Sequence, residues 1–565
     1  MKKSLFLLHA FAMGLAFASC SNEDAVNGSD LEGNLETNYI SINLVPAPDN
    51  GSRATAYNDY EYGTDEENAV TTIRFYFFDD QDKAASVKAD GTNYFDWTND
   101  IGSKPGTEEN VEETLNAVVV INTKEGDKGF PAKILAIINP ASLSLPETSM
   151  NLSDLRAETY DKDYAAGANA SSSVFVLNNS VYANNGEMVA TVVPTTAYAK
   201  TQDEALKNPV NIYVERNVAK VRVTLDSEKI TVSDGKIALK DSEGNDLKIN
   251  EKQIYLKLGN WDLTAETDLT KLFKSIKADW SLDWDWNKKE YFRSFWAQNA
   301  DGAEQSWHDY NSIENNGKKM GKDNVIYANE NAPQHAFTND ASNISDFTKV
   351  IIAGTLQDPQ GNNVNITKYA GISSIATADE ADKGFVALKK SILSSLTQKI
   401  YSISGTSATE IGVDDVEFVT ARAANKVKDG ESHLGHYNVY LQLKSKGGNW
   451  SKSNEQNADP SNSLTHDQVN DILAGYKAQI YKSGMTYYYF PIGHLGTTGN
   501  IGEYGVVRNH IYDCSIKSIT GLGTPVYNPE ETIWPEKPVD DETYIDAKIN
   551  ILSWRLVSQD VNLTW

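Results

Sequence analysis

Cysteine is nearly absent from this chain of 565 residues. Its two cysteines are Cys20 and Cys514, so a scaffold held together by several disulfides is excluded. Cys514 shares the apolar phase of a strand-like segment with Tyr512 and Ile516, and we interpret it as a small buried hydrophobic residue rather than a nucleophile. The fold must therefore rest on hydrophobic cores, and a chain of this length has enough apolar residues for two or more of them.

Positive charge is scarce. Lys and Arg number 51 against 78 Asp and Glu, which gives a formal net charge of −27 and a pI near 4.7. This balance opposes binding to nucleic acid or to anionic lipid, because both of those partners are negatively charged. We interpret the excess of carboxylates as a solvated acidic surface and predict no nucleic-acid partner.

Catalytic motifs are missing as well. The sequence has no nucleophile elbow, no HExxH helix and no phosphate-binding loop. His433 and His436 are the only close histidine pair, and without a thiolate or a well-placed carboxylate their spacing is a weak signal for zinc. Residues 241–246 resemble the start of a calcium loop but lack the distal glutamate, so a polar hairpin turn is the better interpretation. We therefore predict no enzyme activity, no cofactor and no metal.

Long apolar runs are confined to the start of the chain. Two lysines precede an apolar stretch at residues 5–18, which leads into Ala18-Ser19-Cys20. This stretch is short for a membrane-spanning helix, and small residues before a cysteine are typical of a lipoprotein signal peptide. We predict a signal peptide over residues 1–19 and lipidation of Cys20, which would anchor the protein to a membrane. The alternative is an ordinary signal peptide followed by an incidental cysteine.

One isolated strand lies behind the signal peptide and a polar tether. Ile40, Ile42 and Leu44 alternate with other residues, which predicts a strand with one apolar face. Prolines and an Asn-Gly pair end this strand. The next basic residue, Arg53, is followed by Ala54 in a loop of small and polar residues, where proteases cut readily.

Short β-strands dominate the rest of the chain. Apolar and β-branched stretches are separated by Gly, Asn, Asp and Pro, a pattern typical of β-sandwiches. The predicted strands are 70–78, 115–121, 134–138, 174–177, 188–193, 210–225, 252–258, 349–356, 437–444, 486–491 and 506–519. The predicted helices are 151–164, 391–398 and 466–476. The fold class is therefore mainly all-β, with two β-sandwich domains and few short helices.

The C-terminal end carries two more predicted strands behind a proline-rich linker. They occupy residues 544–552 and 554–563. Ala547, Ile549 and Ile551 alternate with polar residues, so one face of the first strand would be apolar. Such a strand can fold back on its own domain or pair with the sheet of another subunit, and the pattern alone leaves both alternatives open.

Several segments resemble the fimbrillins of Bacteroidales, most closely the shaft subunits of their minor fimbriae. The segments are 18–20 (ASC), 52–54 (SRA), 214–221 (VERNVAKV), 506–512 (VVRNHIY), 516–519 (IKSI) and 551–554 (ILSW). They lie at both ends and near the middle, so their order covers the layout of the whole chain. The tryptophan-rich centre, residues 261–307, matches the family pattern less well.

The resemblance implies an outer-membrane lipoprotein precursor with two β-sandwich domains of transthyretin-like topology. In such a protein an arginine-specific protease removes the first strand, and a C-terminal strand of the neighbouring subunit fills the vacated groove. Cleavage would here fall between Arg53 and Ala54. The implied parts are a lipidated propeptide over 20–53, an N-terminal domain over 54–226, a C-terminal domain over 227–540 and a donor segment over 541–565.

The resemblance also implies residue roles and partners. The removable strand would contain Ile40, Ile42 and Leu44. The donor residues would be Ala547, Ile549, Ile551, Trp554, Leu556, Val561 and Leu563. The expected partners are copies of the same chain in a head-to-tail filament, accessory fimbrial subunits, the protease and, for the precursor, the outer membrane. The expected function is that of a structural subunit of a surface fimbrium that supports adhesion and biofilm formation.

An aromatic cluster supports an alternative of a different class. Its members are Trp280, Trp284, Trp286, Tyr291, Phe292, Phe295 and Trp296. Their flat rings could stack on a glycan, as in a surface lipoprotein adhesin or a receptor at a fimbrial tip, whereas core and edge packing is the more common use of such side chains. The C-terminal strand favours the filament subunit, because an adhesin would not need a donor.

Overall fold

The computed structural model describes most of the chain between Leu35 and Arg555. The described residues are 35–46, 60–88, 90–98, 104–105, 113–124, 131–140, 143–161, 175–180, 189–275, 298–331, 347–427, 433–455, 460–494, 504–535 and 544–555. Within these residues, no helix is both long and apolar enough to cross a membrane.

Short elements make up the N-terminal part. In chain order they are β1 (Leu35–Pro46), β2 (Tyr60–Tyr62), α1 (Asp65–Asn68), β3 (Thr72–Phe78), β4 (Tyr94–Thr98), β5 (Lys104–Pro105), β6 (Glu113–Lys124), β7 (Lys133–Ile138), α2 (Leu152–Ala157), β8 (Thr159–Asp161), β9 (Leu177–Asn179), β10 (Thr191–Val192), α3 (Gln202–Ala205), β11 (Val210–Arg216) and β12 (Val218–Leu225).

The remaining part has more strands and four helices among its described residues. The strands are β13 (Ile237–Ala238), β14 (Lys248–Ile249), β15 (Lys252–Gln253), β16 (Tyr255–Thr264), β17 (Glu266–Thr267), β18 (Leu269–Lys271), β19 (Gln305–Ser306), β20 (Val325–Asn329), β21 (Lys349–Gln357), β22 (Asn365–Tyr369), β23 (Ile372–Ala376), β24 (Tyr401–Ser404), β25 (Ser407–Glu410), β26 (Val416–Thr420), β27 (Val439–Leu443), β28 (Asn449–Ser451), β29 (Ser463–Leu464), β30 (Gln479–Tyr481), β31 (Met485–Pro491), β32 (His510–Thr520), β33 (Thr524–Pro525) and β34 (Tyr544–Arg555). The helices are α4 (Tyr310–Asn316), α5 (Ala378–Asp382), α6 (Val386–Ser395) and α7 (His466–Leu473), and single 3₁₀ turns occupy Thr195–Ala197, Pro460–Asn462 and Lys482–Gly484.

Three sheets carry most of the structure. The N-terminal sheet has the order β4-β3-β7-β9-β11-β1-β6-β5, with β10 added beside β7. A second sheet has the order β2-β34-β32-β12-β20, and a third has the order β13-β16-β21-β31-β33. The first two sheets each combine parallel and antiparallel pairs, because β1 runs parallel to β11 and β12 runs parallel to β32.

The N-terminal sheet and the second sheet are joined by one continuous run of chain. The sequence predicts a single strand over 210–225, but the structure divides it into β11 and β12 at Asn217. The buried Asn217 side chain donates to the Leu272 carbonyl at 3.3 Å and accepts from Asn178 at 2.6 Å. These bonds hold Asn217 at the point where the chain leaves one sheet and enters the other, which explains the break.

An inserted lobe lies between two neighbouring strands of the third sheet. β21 and β31 pair in antiparallel fashion, yet residues 358–484 separate them in sequence. This insertion has a hydrophobic core of its own, formed among others by Ile392, Val416, Leu441 and Val469. A hairpin that carries so long an insertion presents it as a separate module on the side of the sheet.

The mainly-β prediction is confirmed, with 42% of the described residues in strands and 14% in helices. Two of the three predicted helices form with shifted ends. α7 begins behind a capping box in which Thr465 and Gln468 satisfy each other's backbone amides, and α6 begins five residues earlier than predicted because Phe385 adopts a left-handed conformation with φ 59°. The third, 151–164, shrinks to α2 and is followed by the strand β8.

Candidate functional site

β1 occupies a slot between two long strands. On one side it pairs with β6 in antiparallel register, from Leu35 opposite Lys124 to Leu44 opposite Leu115. On the other side it pairs in parallel with β11 over its last five residues, from Ile42 to Pro46. β1 is therefore an interior strand of the N-terminal sheet, although it is the first described element of the chain.

The apolar face of β1 is part of the core. Ile40 and Ile42 are fully buried, Leu44 is 4% exposed, and all three belong to the hydrophobic cluster that contains Val119 and Ile212. Burying three aliphatic side chains stabilises the fold by about 4 to 9 kcal/mol. Loss of β1 would leave an apolar groove between β6 and β11, with unpaired backbone groups along both walls.

The opposite face of β1 is also covered. Ser41 is fully buried, and α3 packs against β1 with Ala205 fully buried. Within the described part of the chain, the Ser41 hydroxyl has no hydrogen-bond partner. β1 is thus buried on both faces at residues 40–42 and paired on both edges at residues 42–44.

β34, the last described strand, lies in the second sheet. It pairs in antiparallel fashion with β32, from Tyr544 opposite Thr520 to Ser553 opposite His510, with an irregularity near Ile516. This register places Ala547 opposite Ile516, Ile549 opposite Cys514 and Ile551 opposite Tyr512. Of the two alternatives left by the sequence, pairing within the same chain is the one present in this monomer.

In the part of the chain that the structure describes, the other edge of β34 is covered only at its end. β2 pairs with it in parallel over three residues, Tyr60 opposite Ser553, Glu61 opposite Trp554 and Tyr62 opposite Arg555. β2 begins six residues after Ala54. The two ends of the mature chain implied by the sequence therefore meet in this sheet.

The segment behind β2 is fixed by buried polar contacts. A Cβ on Gly63 would lie 2.7 Å from an Arg216 nitrogen, so the backbone can approach the guanidinium only because this residue is glycine. Arg216 Nε donates to the Glu67 carbonyl at 2.9 Å, and another nitrogen of Arg216 donates to the Asn68 side chain. Burial lowers the pKa of the Arg216 guanidinium to about 9.

Glu67 completes this contact with its carboxylate. It forms a buried ion pair with Lys220 at 3.1 Å and accepts a hydrogen bond from Tyr327. Burial alone would raise the pKa of the Glu67 carboxyl, but the Tyr327 hydrogen bond and the charge of Lys220 outweigh it and hold this pKa below its ordinary value. Glu67 therefore stays ionised in the interior near neutral pH.

A second buried arginine, Arg508, contacts the residue next to the first. Arg508 Nε donates to Glu330 at 2.7 Å, and Arg508 Nη1 donates to the Leu272 carbonyl at 2.9 Å and to the Asn217 side chain at 3.3 Å. The Arg216 backbone amide in turn donates to the Asn509 side chain at 3.3 Å. Arg508 thus binds Asn217, and Arg216 binds Asn509, at the point where the neighbouring strands β12 and β32 begin.

We call the buried set Glu67, Lys220, Arg216, Asn217, Glu330, Arg508 and Asn509 the polar junction. Sequence reasoning used segments 214–221 and 506–512 as marks of resemblance and assigned them no role. The available signal was an Arg-Asn pair within each of two predicted strands, 210–225 and 506–519, since buried charges need partners. In the structure, Arg508 binds Glu330 and Asn217, and Arg216 binds Asn68 and Asn509.

Several predicted site residues lie outside the described residues. They are Cys20, Arg53, Ala54, Leu556, Val561 and Leu563, together with the aromatic cluster at 280–296. Trp554 lies within β34, and Trp261, at the border of the tryptophan-rich centre, is fully buried. The structure therefore brings together β1 with its slot and β34 with β2.

Side chains that commonly bind metals are dispersed among the described residues. No group of three or more His, Cys, Asp and Glu side chains gathers there. His436 packs against Tyr487 and Trp534, and burial lowers its pKa to about 3. Asp241 accepts hydrogen bonds from the amides of Glu243 and Asn245, which is the geometry of a turn.

Residues 479–560 match the family model of the fimbrillin C-terminal part, described as major fimbrial subunit protein type IV. This stretch contains β30 to β34 and Arg508 of the polar junction. The resemblance to the fimbrillin superfamily drawn from the sequence is confirmed by this match, whereas the position of shaft subunit stays a prediction. The comparison with curated proteins gave no match.

Solved structures that match this chain include fimbrial proteins. A fimbrilin of Porphyromonas gingivalis W83 is 13% identical, with 92% of this chain and 98% of that one covered and a TM-score of 0.37. The tip fimbrial protein Mfa3 of Porphyromonas gingivalis is 11% identical, with coverage of 92% and 100% and a TM-score of 0.32. A fimbrial assembly protein of Parabacteroides distasonis is 12% identical, with coverage of 59% and 91% and a TM-score of 0.27.

Proposed function

We propose that this protein is a structural subunit of a bacterial surface fimbrium that polymerises by strand exchange after proteolysis. The match of its C-terminal part to the fimbrillin family model supports this proposal. The precursor is a lipoprotein held to the outer membrane through Cys20. Cleavage between Arg53 and Ala54 by an arginine-specific protease removes β1, and a C-terminal strand of the next subunit fills its slot. Accessory subunits join the filament, which supports adhesion and biofilm formation.

The observation that carries this proposal is the position of β1. A first strand that is paired on both edges and buried on both faces is an integral part of its sheet, yet it is the terminal element of the described chain. Its removal needs only one cut behind Pro46, and Arg53 is the first basic residue there. The result is an apolar slot with two hydrogen-bonding walls, which requires a strand to become stable.

The C-terminal end provides such a strand. β34 pairs with β32 over ten residues of its own chain, and the ten residues 556–565 follow it. As an extended strand these ten residues span about 33 Å, more than the five-residue pairing between β1 and β11 requires. Donation by this tail leaves β34 in place, whereas donation by Ala547, Ile549 and Ile551 requires β34 to leave β32.

The geometry favours a filament over a closed dimer. The slot lies in the N-terminal sheet and the donor leaves the second sheet, so each subunit has two different binding surfaces. Such a head-to-tail contact repeats without closing unless the rotation between subunits happens to form a ring. The apolar and hydrogen-bonded contacts of one strand must also exceed the cost of ordering it.

The proposal is tested by blocking the cut. The variant Arg53→Ala should remain a monomer after limited trypsin treatment, because β1 continues to fill the slot. The wild type should form ladders on mildly denaturing gels and filaments in electron micrographs. Lys207→Ala, which replaces an exposed basic residue, is the matched control and should polymerise like the wild type. Polymerisation of uncut Arg53→Ala at the wild-type rate would overturn the proposal.

A further inference from the structure

β2 lies at the place where the C-terminal tail leaves the fold. β34 is paired with β32 along nearly its whole length, but among the described residues its other edge has a partner only at Ser553, Trp554 and Arg555. These are the last described residues of the chain, and residues 556–565 follow directly. β2 therefore covers β34 at its last three residues and nowhere else.

The position of β2 is fixed firmly on its C-terminal side. Gly63 follows it at once, packed against Arg216, and α1 then brings Glu67 and Asn68 into the polar junction. On its N-terminal side, β2 is connected through residues 47–59 to β1, which ends at Pro46 opposite Val214. In the precursor, β2 is thus joined directly to Gly63 on one side and through residues 47–59 to the end of β1 on the other.

We propose that β2 is a clip that holds the end of β34 in its own sheet, and that cleavage after Arg53 loosens this clip. The inference rests on the proposed function in one respect, since it takes that cleavage as given. Once the bond is cut, only the Gly63 side still restrains β2. A three-residue strand has few hydrogen bonds to offset the entropy of ordering its backbone, so the loss of one tether weakens it.

The clip gives the two chain ends a common control. In a subunit that still contains β1, the slot is filled and the end of β34, from which the tail continues, is held by β2. In a subunit cut at Arg53, the slot is open and the end of β34 is held less firmly. One proteolytic event therefore activates both binding surfaces, although these lie in different sheets.

Hydrogen exchange measured by mass spectrometry on the full chain tests this inference. In the peptide that covers residues 544–555, the amides of Ser553, Trp554 and Arg555 should exchange slowly in Arg53→Ala and at least about tenfold faster when Glu61→Pro is added, because proline disrupts the pairing of β2 while the pairing of β34 with β32 remains. Val232→Pro in the same background is the matched control, at an exposed position outside the strands, and should leave this exchange unchanged. Wild type trimmed to Ala54 should exchange as fast as the Glu61→Pro variant.

A second variant distinguishes loss of the β2 pairing from a general folding defect. Replacement of both Tyr60 and Tyr62 by Gly weakens the same pairing without proline, and it should raise the exchange of residues 544–555 while residues 349–357 stay protected. Equal exchange of residues 544–555 with an intact and a disrupted β2, or before and after trimming, would overturn the clip. Electron microscopy of the same samples tests the proposed function separately. Filaments without a change in exchange would refute only the clip. Faster exchange without filaments would refute only the polymerisation.

Discussion

The first and the last described strands of this protein are held in opposite ways. β1 has a neighbour on each edge, its apolar face lies in the core, and α3 packs against it. β34 has one full-length neighbour, and among the described residues its second edge is covered by three residues of β2. β1 therefore cannot leave its sheet without extensive unfolding, whereas Trp554 and Arg555 at the end of β34 can be freed by loss of one short pairing.

This contrast fits the roles that the proposal gives to the two strands. A strand that must be lost for activation is held so tightly that the precursor stays inactive until the chain is cut. The tail that is lent continues from β34, a strand that has only one full-length neighbour among the described strands. The polar junction lies between them, because it fixes the segment behind β2 and joins β11 to β12.

The largest expected effect is the difference in stability lost when an aspartate is placed in β1 or in β34. Ile42→Asp should destabilise the uncut Arg53→Ala precursor by about 3 to 5 kcal/mol, because it places an unpaired carboxylate in the core. Ile549→Asp in β34 should cost less than half as much, since its strand can detach from β32. Chemical denaturation measures both, and equal losses would remove the contrast between the strands.

The polar junction should give the next largest effect. Arg216→Met would leave the Glu67 carbonyl and the Asn68 side chain without a donor in the interior, which costs about 2 to 4 kcal/mol. Arg74→Met is the matched control, because the Asp96 partner of Arg74 is exposed, and it should cost about 1 kcal/mol or less. Thermal unfolding of both variants provides the comparison, and similar losses would show that the junction does not stabilise the fold.

A smaller effect concerns the loss of folding stability at acidic pH. The pKa of Glu67 is lowered by folding, so its stabilising contribution is present above its ordinary value of 4.5 and is lost as the pH falls below it. Glu67→Gln should therefore lose less stability than the wild type between pH 5 and pH 3, by about 1 kcal/mol. Glu228→Gln, at an exposed position, should follow the wild type. Identical acid profiles for Glu67→Gln and wild type would contradict the ion pair with Lys220.

The smallest expected effect on stability is that of losing the tail. A chain that ends at Arg555 should unfold within about 0.5 kcal/mol of the full-length precursor, because it lacks only residues that follow β34. The same truncation should abolish filament growth after trimming at Arg53. Calorimetry and electron microscopy measure the two outcomes, and a collapsed thermal transition would show that the tail completes its own domain.

The sequence predicted the elements better than their connections. Alternation at Ile40, Ile42 and Leu44 was sufficient to place β1, because a strand with one face in the core must have this period. The same alternation at Ala547, Ile549 and Ile551 predicted β34 but left its partner open, since periodicity identifies a face and says nothing about which edge pairs. The parallel pairing of β2 has three residues and no pattern of its own.

Two other features escaped prediction for physical reasons. The polar junction depends on contacts such as that between Arg216 and Asn509, which are far apart in sequence and brought together only by the order of the strands. The inserted lobe has the same strand and turn signals as its surroundings, so composition did not separate residues 358–484 from the third sheet. Only the pairing of β21 with β31 reveals it as an insertion.

The most direct test of the account is the binding of a synthetic peptide with the sequence of residues 556–565 to two forms of the chain that end at Arg555. One form is trimmed to Ala54, and the other carries Arg53→Ala and retains β1. We predict saturable binding to the trimmed form, measured by fluorescence anisotropy, and no binding to the form whose slot is filled. Equal binding to both forms, or to neither, would contradict the claim that cleavage opens a slot for the C-terminal tail.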